Sequence, residues 1–218
     1  MRHKDKNRWN FIDKFIAKFR YKQVDKYVLR DNSIVDIGCG QEGTFLLKHK
    51  DIISTGYGFD YKIQNHSIDN ITFINNKNIN KLPLENESVD LVFLNAVLEH
   101  LTEPEKILSD CFRIIKKEGM VIMTTPTPIS KPLLEFLAFK LHIINEEEIK
   151  EHVHYYSRKD IDDLILKLSE SYKLEIIKYK RFEFGFNILI FIIKECYLAE
   201  YMMIDSLLKN LVLTKNII

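Results

Sequence analysis

Cysteine is scarce in this chain, and its placement is uninformative for chemistry. Cys39, Cys111 and Cys196 are odd in number and far apart. That pattern excludes a secreted disulfide framework and the paired spacing of a zinc site. No long apolar run is present either. Stretches such as "NILIFIIK" (Asn187–Lys194) fall far short of the roughly 20 residues a membrane span needs. The N-terminus is polar and lacks the apolar segment of a secretory signal, so a cytoplasmic protein is expected. Proline is rare, and no low-complexity linker or internal repeat marks a second domain. Glycine is limited to seven residues, and three of them stand in the six-residue stretch "GCGQEG" at 38–43. Net charge is close to nil, at +1, so there is no global pull toward nucleic acid.

The charge is nevertheless uneven. Residues 1–30 carry ten Lys and Arg against three Asp, a surplus of +7, which leaves the remainder near −6. Such a basic arm suits an anionic partner, whether a phosphate-bearing substrate, a membrane surface or nucleic acid, or it is a solvated helix face. No aromatic-basic platform for RNA accompanies it. The rest has the apolar (46%) and charged (29%) content of a globular protein.

Periodicity orders the elements. Trp9, Ile12, Ile16, Phe19, Val24, Tyr27 and Val28 recur at helical steps, with a break expected near Tyr21. "SIVDIG", "STGYGFD", "ITFINN", "SVDLVFLNAV" and "GMVIMTTP" read as strands, the fourth apolar enough to be buried on both faces. A helix should follow the glycine turn from about Gly43 to Lys50. "EPEKILSDCFRIIKKEG" reads as a helix closed by Gly119, and residues 131–144 as a helix apolar over much of its circumference. Ser157 with Asp160 forms a helix start of capping-box type. "YKLEIIKYKRF" and "GFNILIFIIK" are too close together for anything but a hairpin, so one of them runs antiparallel to the rest. Alternating strands and helices predict an α/β fold with a mostly parallel sheet. The expected organisation is one domain over 1–218, with a basic helical arm (1–30), a lid-like insertion (128–156) and a helical tail (195–218).

In an open parallel sheet, ligands sit at the carboxyl ends of the strands, and the first strand-to-helix turn presents its backbone N–H groups to them. Residues 38–43 match G-x-G-x-x-G, and Asp60 follows Gly40 by the 20 residues at which an acid takes ribose hydroxyls. A nicotinamide-dependent oxidoreductase is therefore one reading. Two features oppose it. Asp36, just before the turn, would repel a pyrophosphate and suits a cationic ligand. The fourth strand then ends in "NAVLEHL" rather than in a second glycine-rich element.

"VDIGCG", "GFD", "LPLENESVDLVFLNAVLEHL" and "KKEGMVIMTTP" together resemble the class I S-adenosylmethionine-dependent methyltransferases of the bacterial small-molecule group, over residues 33–167 and more loosely beyond. The resemblance implies a Rossmann-like sheet of seven strands, helices on both faces and the last strand antiparallel. It implies S-adenosylmethionine as cofactor. Asp36, Gly38 and Gly40 would line its methionine part, with Leu94 and Asn95 beside them. Asp60 would hold the ribose and Tyr61 would flank the adenine. Asn78 stands where the family usually has an acid for the adenine amino group, with Ile79 packing on the ring. The family's next small residue falls at 42, where this chain has Glu42, so the turn is expected to be one residue longer, with Gln41 and Glu42 toward the cofactor's amino-acid end or solvent.

If the acceptor is a hydroxyl, a base is needed. His152, in a His-x-x-aromatic-aromatic segment similar to the family's, and His100, in "LEHL", are the candidates. A metal-using variant of the family carries Glu-x-x-Glu-His and a distant His. Here Ala96 replaces the first Glu, leaving Glu99, His100 and His152 or His154, and no metal is expected. The insertion is similar to those of methyltransferases encoded with bacterial surface-polysaccharide enzymes. That implies O-methylation of a phosphate-linked sugar, with Lys14, Lys18, Arg20 and Lys22 near the phosphates. Peripheral membrane contact and a monomer or homodimer fit the same picture. RNA or protein methylation and a non-catalytic cofactor-binding role stay open as alternatives.

Overall fold

The computed structural model describes residues 11–76 and 81–194. The central feature is an eight-stranded sheet in the order β3-β4-β2-β1-β5-β6-β8-β7. Its strands are β1 (Ser33–Ile37), β2 (Thr55–Asp60), β3 (His66–Ile68), β4 (Ile71–Asn75), β5 (Val89–Asn95), β6 (Ile115–Pro126), β7 (Leu174–Phe182) and β8 (Asn187–Lys194). β4, β2, β1, β5 and β6 are mutually parallel. β8 pairs antiparallel with β6 and with β7, as the short link between the last two strands demands. The fold class inferred from the alternation of elements is the one observed. The strand count is not: the short β3 adds an eighth strand, antiparallel to β4 at the edge. All three of its residues are exposed, so it carries no hydrophobic alternation by which to be read.

Helices cover both faces. α3 (Pro104–Ile114) and α6 (Arg158–Leu168) pack with Val35, Ile37, Val92, Leu94 and Val121 on one side. α1 (Phe11–Val24) and α2 (Thr44–His49) meet Ile34, Phe93 and Phe191 on the other. All eight residues of β8 are buried, as a strand between two neighbours and two helical layers requires. α6 starts as read: Ser157 Oγ accepts from Asp160 N, and Asp160 Oδ2 accepts from Ser157 N at 2.7 Å.

Three boundaries differ from expectation. α1 continues through Tyr21 to Val24, because Tyr21 packs its ring 5.3 Å from that of Phe45 and keeps the helix on the sheet. α3 stops at Ile114, and "IKKEG" opens β6 instead. Gly119 is therefore no helix cap. A Cβ there would lie 2.6 Å from Ile115 Cγ1 and 3.0 Å from the Asp90 carbonyl, so it marks the close approach at an irregularity between β5 and β6. The helix expected over 131–144 breaks into α4 (Lys131–Glu135) and a π turn (Phe136–Lys140), with His142 at φ +52°. A further helix, α5 (Glu146–Lys150), follows, capped by Asn145, which accepts from Glu147 N. Among the described residues no helix is long and apolar enough to cross a membrane.

Candidate active site

Chain order reverses at β1, which lies between β2 and β5, and the turn after β1 stands at the carboxyl end of the sheet where ligands of such folds bind. The turn is tied to β2: Gly38 N and Cys39 N both donate to the Phe59 carbonyl, at 2.7 and 3.2 Å. Gly40 N donates to Asp60 Oδ2 at 2.9 Å, while Asp60 Oδ1 accepts from Lys62 N at 2.7 Å. Asp60 thus holds the glycine turn with one oxygen and its own strand end with the other. Gly43 caps α2 at φ +56°, and a Cβ there would sit 2.2 Å from Phe73 Cε1. The helix begins at Thr44, one residue past the expected small residue at 42. Gln41 and Glu42 point outward from the turn as exposed residues.

Three polar side chains are buried at the ends of adjacent strands: Asp36 (β1), Asp60 (β2) and Asn95 (β5). Both oxygens of Asp36 and both polar atoms of the Asn95 amide lack hydrogen-bond partners. Burial, with the Asp60 charge second, pushes the Asp36 carboxyl well above the usual carboxylate range, and the Asn95 side chain pulls it back in part. Orphaned buried polar atoms of this kind await a ligand. A carboxylate beside a second carboxylate suits a cation that brings its own donors. The ammonium of S-adenosylmethionine fits that requirement, and the open side of Gly40, where a Cβ would meet nothing within 4 Å, allows close approach.

The carboxyl of Asp36 works against the fold at neutral pH. Its folded value lies above the ordinary value, so stability falls as pH rises from the ordinary carboxylate value up to the raised folded one and stays lower above it. Asp36→Asn should raise the melting temperature of the cofactor-free protein by roughly 2–10 °C while weakening binding of S-adenosylhomocysteine. A lowered melting temperature would contradict this account.

The remaining expected cofactor residues are placed as follows. Leu94 is fully buried beneath the turn. Tyr61 is 47% exposed, with the Lys62 ammonium 4.8 Å from its ring centre. Asn78 and Ile79 lie outside the described residues. Tyr21 was not foreseen. It comes from α1, and burial, with the Asp36 charge second, drives its phenol upward. Nothing in its sequence neighbourhood distinguishes it from a core tyrosine.

A second cluster forms where the turn after β5 meets the segment before α6. The Glu99 carbonyl accepts from Val153 N at 2.7 Å and from His154 N at 3.3 Å, which fixes "HVHYYS" against "LEH". The rings of His100 and His152 then cross at 82°, with centres 4.7 Å apart. Glu99 is buried, and its Oε2 accepts from Thr125 Oγ1 at 3.0 Å. Its carboxyl is raised by burial and drawn back by His100 and Arg20. His152 Nδ1 pairs with the Tyr155 hydroxyl at 2.9 Å. Burial, then the His100 and Arg20 charges, lower the His152 imidazole to about 3. His154 is directed elsewhere: its Nε2 lies 3.6 Å from Asp160 Oδ2. His152, the base candidate of the sequence, is thereby set apart from His154.

Donor atoms of Glu99, His100 and His152 lie within 4.8 Å of one another, the spacing from which a metal site could be drawn together. The charge of Arg20 acts on two of the three. A cavity of about 450 Å³ opens beside them, lined by Lys131, Phe139, Ile149, His152 and Tyr155 among others. Phe139 lines this cavity, whereas Leu133, Phe136 and Leu141 stay exposed.

Residues 35–123 match the family model described as a methyltransferase domain. The chain is 32% identical over 80 residues to the malonyl-[acyl-carrier protein] O-methyltransferase of Marinomonas sp., a stretch covering 37% of this chain and 27% of that relative. Among solved structures, an S-adenosylmethionine-dependent methyltransferase of Mesorhizobium loti aligns with a TM-score of 0.60 at 14% identity, covering 82% of this chain and 98% of that one. The Haemonchus contortus phosphoethanolamine N-methyltransferase 1 aligns with a TM-score of 0.62 at 16% identity, covering 85% and 44%. The solved structures share the fold, and the family match spans the strands that carry Asp36, Gly38, Gly40, Asp60, Leu94 and Asn95. Residues 35–123 thus form a methyltransferase domain, on the fold that S-adenosylmethionine-dependent methyltransferases of known structure share.

Proposed function

We propose that the protein transfers a methyl group from S-adenosylmethionine to an oxygen of a small anionic metabolite, a phosphate-linked sugar being the acceptor best matched to the chain. The observation that carries this reading is the juxtaposition of two differently built halves. One holds an orphaned carboxylate beside a glycine turn. The other holds a neutral imidazole at the wall of a cavity.

The cofactor, when bound, supplies a methyl already activated on a sulfonium. The chain's work is to orient, exclude water and take up a proton. Asp36 and Asn95 receive the cationic amino-acid end, and Asp60, held by the Gly40 and Lys62 N–H groups, presents its carboxylate to the ribose. Tyr61 flanks the adenine, with Asn78 and Ile79 as its further contacts. With Nδ1 bonded to Tyr155, His152 turns Nε2 toward the acceptor as base. A value near 3 makes it weak when alone. An anion bound beside it raises that value, so base strength arrives with the acceptor. His100 shapes the pocket by packing on His152.

The same low value favours a second reading. A carboxylate acceptor, the kind the name of the Marinomonas relative implies, needs no base. Methyl transfer from labelled cofactor to nucleotide-linked sugars, lipid-linked sugars, a phenol, an amine and simple carboxylic acids separates these. Turnover of the linked sugars is the expected result. Turnover of only the phenol or amine would sink the sugar assignment.

A further inference from the structure

We propose that Arg20 is the residue that reads the anionic group of the acceptor, taking two oxygens of a phosphoryl or carboxylate group in the cleft beside His152. This deepens the methyl-transfer reading above and rests on it. α1 reaches both halves of the site. Its Tyr21 acts on the Asp36 side, and its Asp13 accepts from Asn145 N at the far edge of the lid, at 3.2 Å. Arg20 lies between them in sequence. Its charge acts on Glu99, His152 and Glu183, so it lies near enough to influence all three.

Arg20 is half-buried, and its Nε is shut off from water with no hydrogen-bond partner. No ion pair engages it among the described residues. A guanidinium offers five N–H donors in a planar fork that matches two oxygens of one anionic group. A buried donor left unpaired is costly and calls for an explanation, and a ligand that completes the fork supplies one. Glu99 is committed to Thr125 and Glu183 to Asn187, so both nearby carboxylates hold the cation at a distance without filling its fork. The cavity wall has a cation of its own: the Lys131 ammonium stands 5.8 Å from the Tyr155 ring centre and 3.9 Å from Glu135 Oε1. An anion in this cleft therefore has a directed partner in Arg20 and a looser one in Lys131. It also lies against His152, the group whose base strength it must raise.

The test uses the full chain, with and without saturating S-adenosylhomocysteine, titrated with inorganic phosphate and separately with acetate. The Arg20 Nε–H and His152 ring resonances are followed by NMR. A saturable shift of both signals, with the His152 pKa rising on binding, is the expected result. Arg20→Gln should weaken that binding by about tenfold to a hundredfold, and Arg20→Lys, which keeps the charge and loses the fork, by an intermediate factor. Lys173→Gln, on an exposed residue far from the cleft, should leave it unchanged. Preference for phosphate over acetate assigns a phosphoryl group, and the reverse a carboxylate. Absence of a saturable effect of either anion, or equal binding in Arg20→Gln, overturns the proposal. Circular dichroism melts confirm that each variant folds. Calorimetry with S-adenosylhomocysteine is scored separately: failure there removes the methyl-transfer reading, while the cofactor-free titration still decides whether Arg20 takes an anion.

Discussion

Asp60→Ala should reduce affinity for S-adenosylhomocysteine by about 10²- to 10⁴-fold, since each hydrogen bond to a charged group contributes about 1.5–3 kcal/mol and the ribose presents two hydroxyls. The substitution acts twice. It removes the proposed acceptor for those hydroxyls and releases Gly40 N and Lys62 N, so the glycine turn loses its tie to the end of β2. Asp60→Asn separates the two effects, because the amide oxygen can keep one backbone donor while the charge is gone. Its affinity should fall between wild type and Asp60→Ala. Calorimetry decides the matter, and affinity in Asp60→Ala within threefold of wild type would remove Asp60 from the cofactor site.

For His152→Gln the expected loss is in turnover, about 10²- to 10⁴-fold in kcat for a hydroxyl acceptor, with S-adenosylhomocysteine affinity unchanged. An unchanged kcat instead identifies an acceptor that needs no base. The same variant has a signature in stability. The imidazole titrates near 6.5 when unfolded and at about 3 when folded, so between these values the unfolded chain holds a proton the folded one lacks. His152 therefore lowers stability as pH falls through that window. His152→Gln should flatten that part of the curve in chemical denaturation run from pH 7 to pH 3. An unaltered slope means that His152 is not held neutral by its surroundings.

The glycine turn and the acids beside it were legible because their signals are local. A strand, a glycine turn and an acid at the next strand's end are all set by spacing along the chain, and Asp36, Gly40 and Asp60 could be named before any coordinates. Gly43 was legible for the same reason: a helix start displaced by one residue leaves a glycine where a left-handed cap is needed. In the second cluster the resemblance offered His152 and His100 as candidates, but nothing local showed that their rings meet. His152 and His154 differ by two positions and carry the same side chain, and only the turn fixed by the Glu99 carbonyl sends one to His100 and the other to Asp160. Tyr21 and Arg20 lie on a helix whose apolar spacing shows that it packs, but not which end of the sheet it crosses. Gly119 was misread because a basic segment closing on glycine is also what a helix end looks like. The distinction lay in the Asp90 backbone carbonyl, 3.0 Å from where a Gly119 Cβ would stand, a close approach between strands that no local pattern encodes. β3 went unread because its stabilisation comes from backbone pairing alone.

The unpaired carboxylate of Asp36 has a consequence for the life of the protein in a cell. A ligand that binds only the folded form stabilises it in proportion to the logarithm of its concentration over its dissociation constant. Here the same ligand also relieves an unfavourable charge already present in the empty fold. By that linkage, empty copies are expected to open more often than loaded ones and to be the more readily proteolysed.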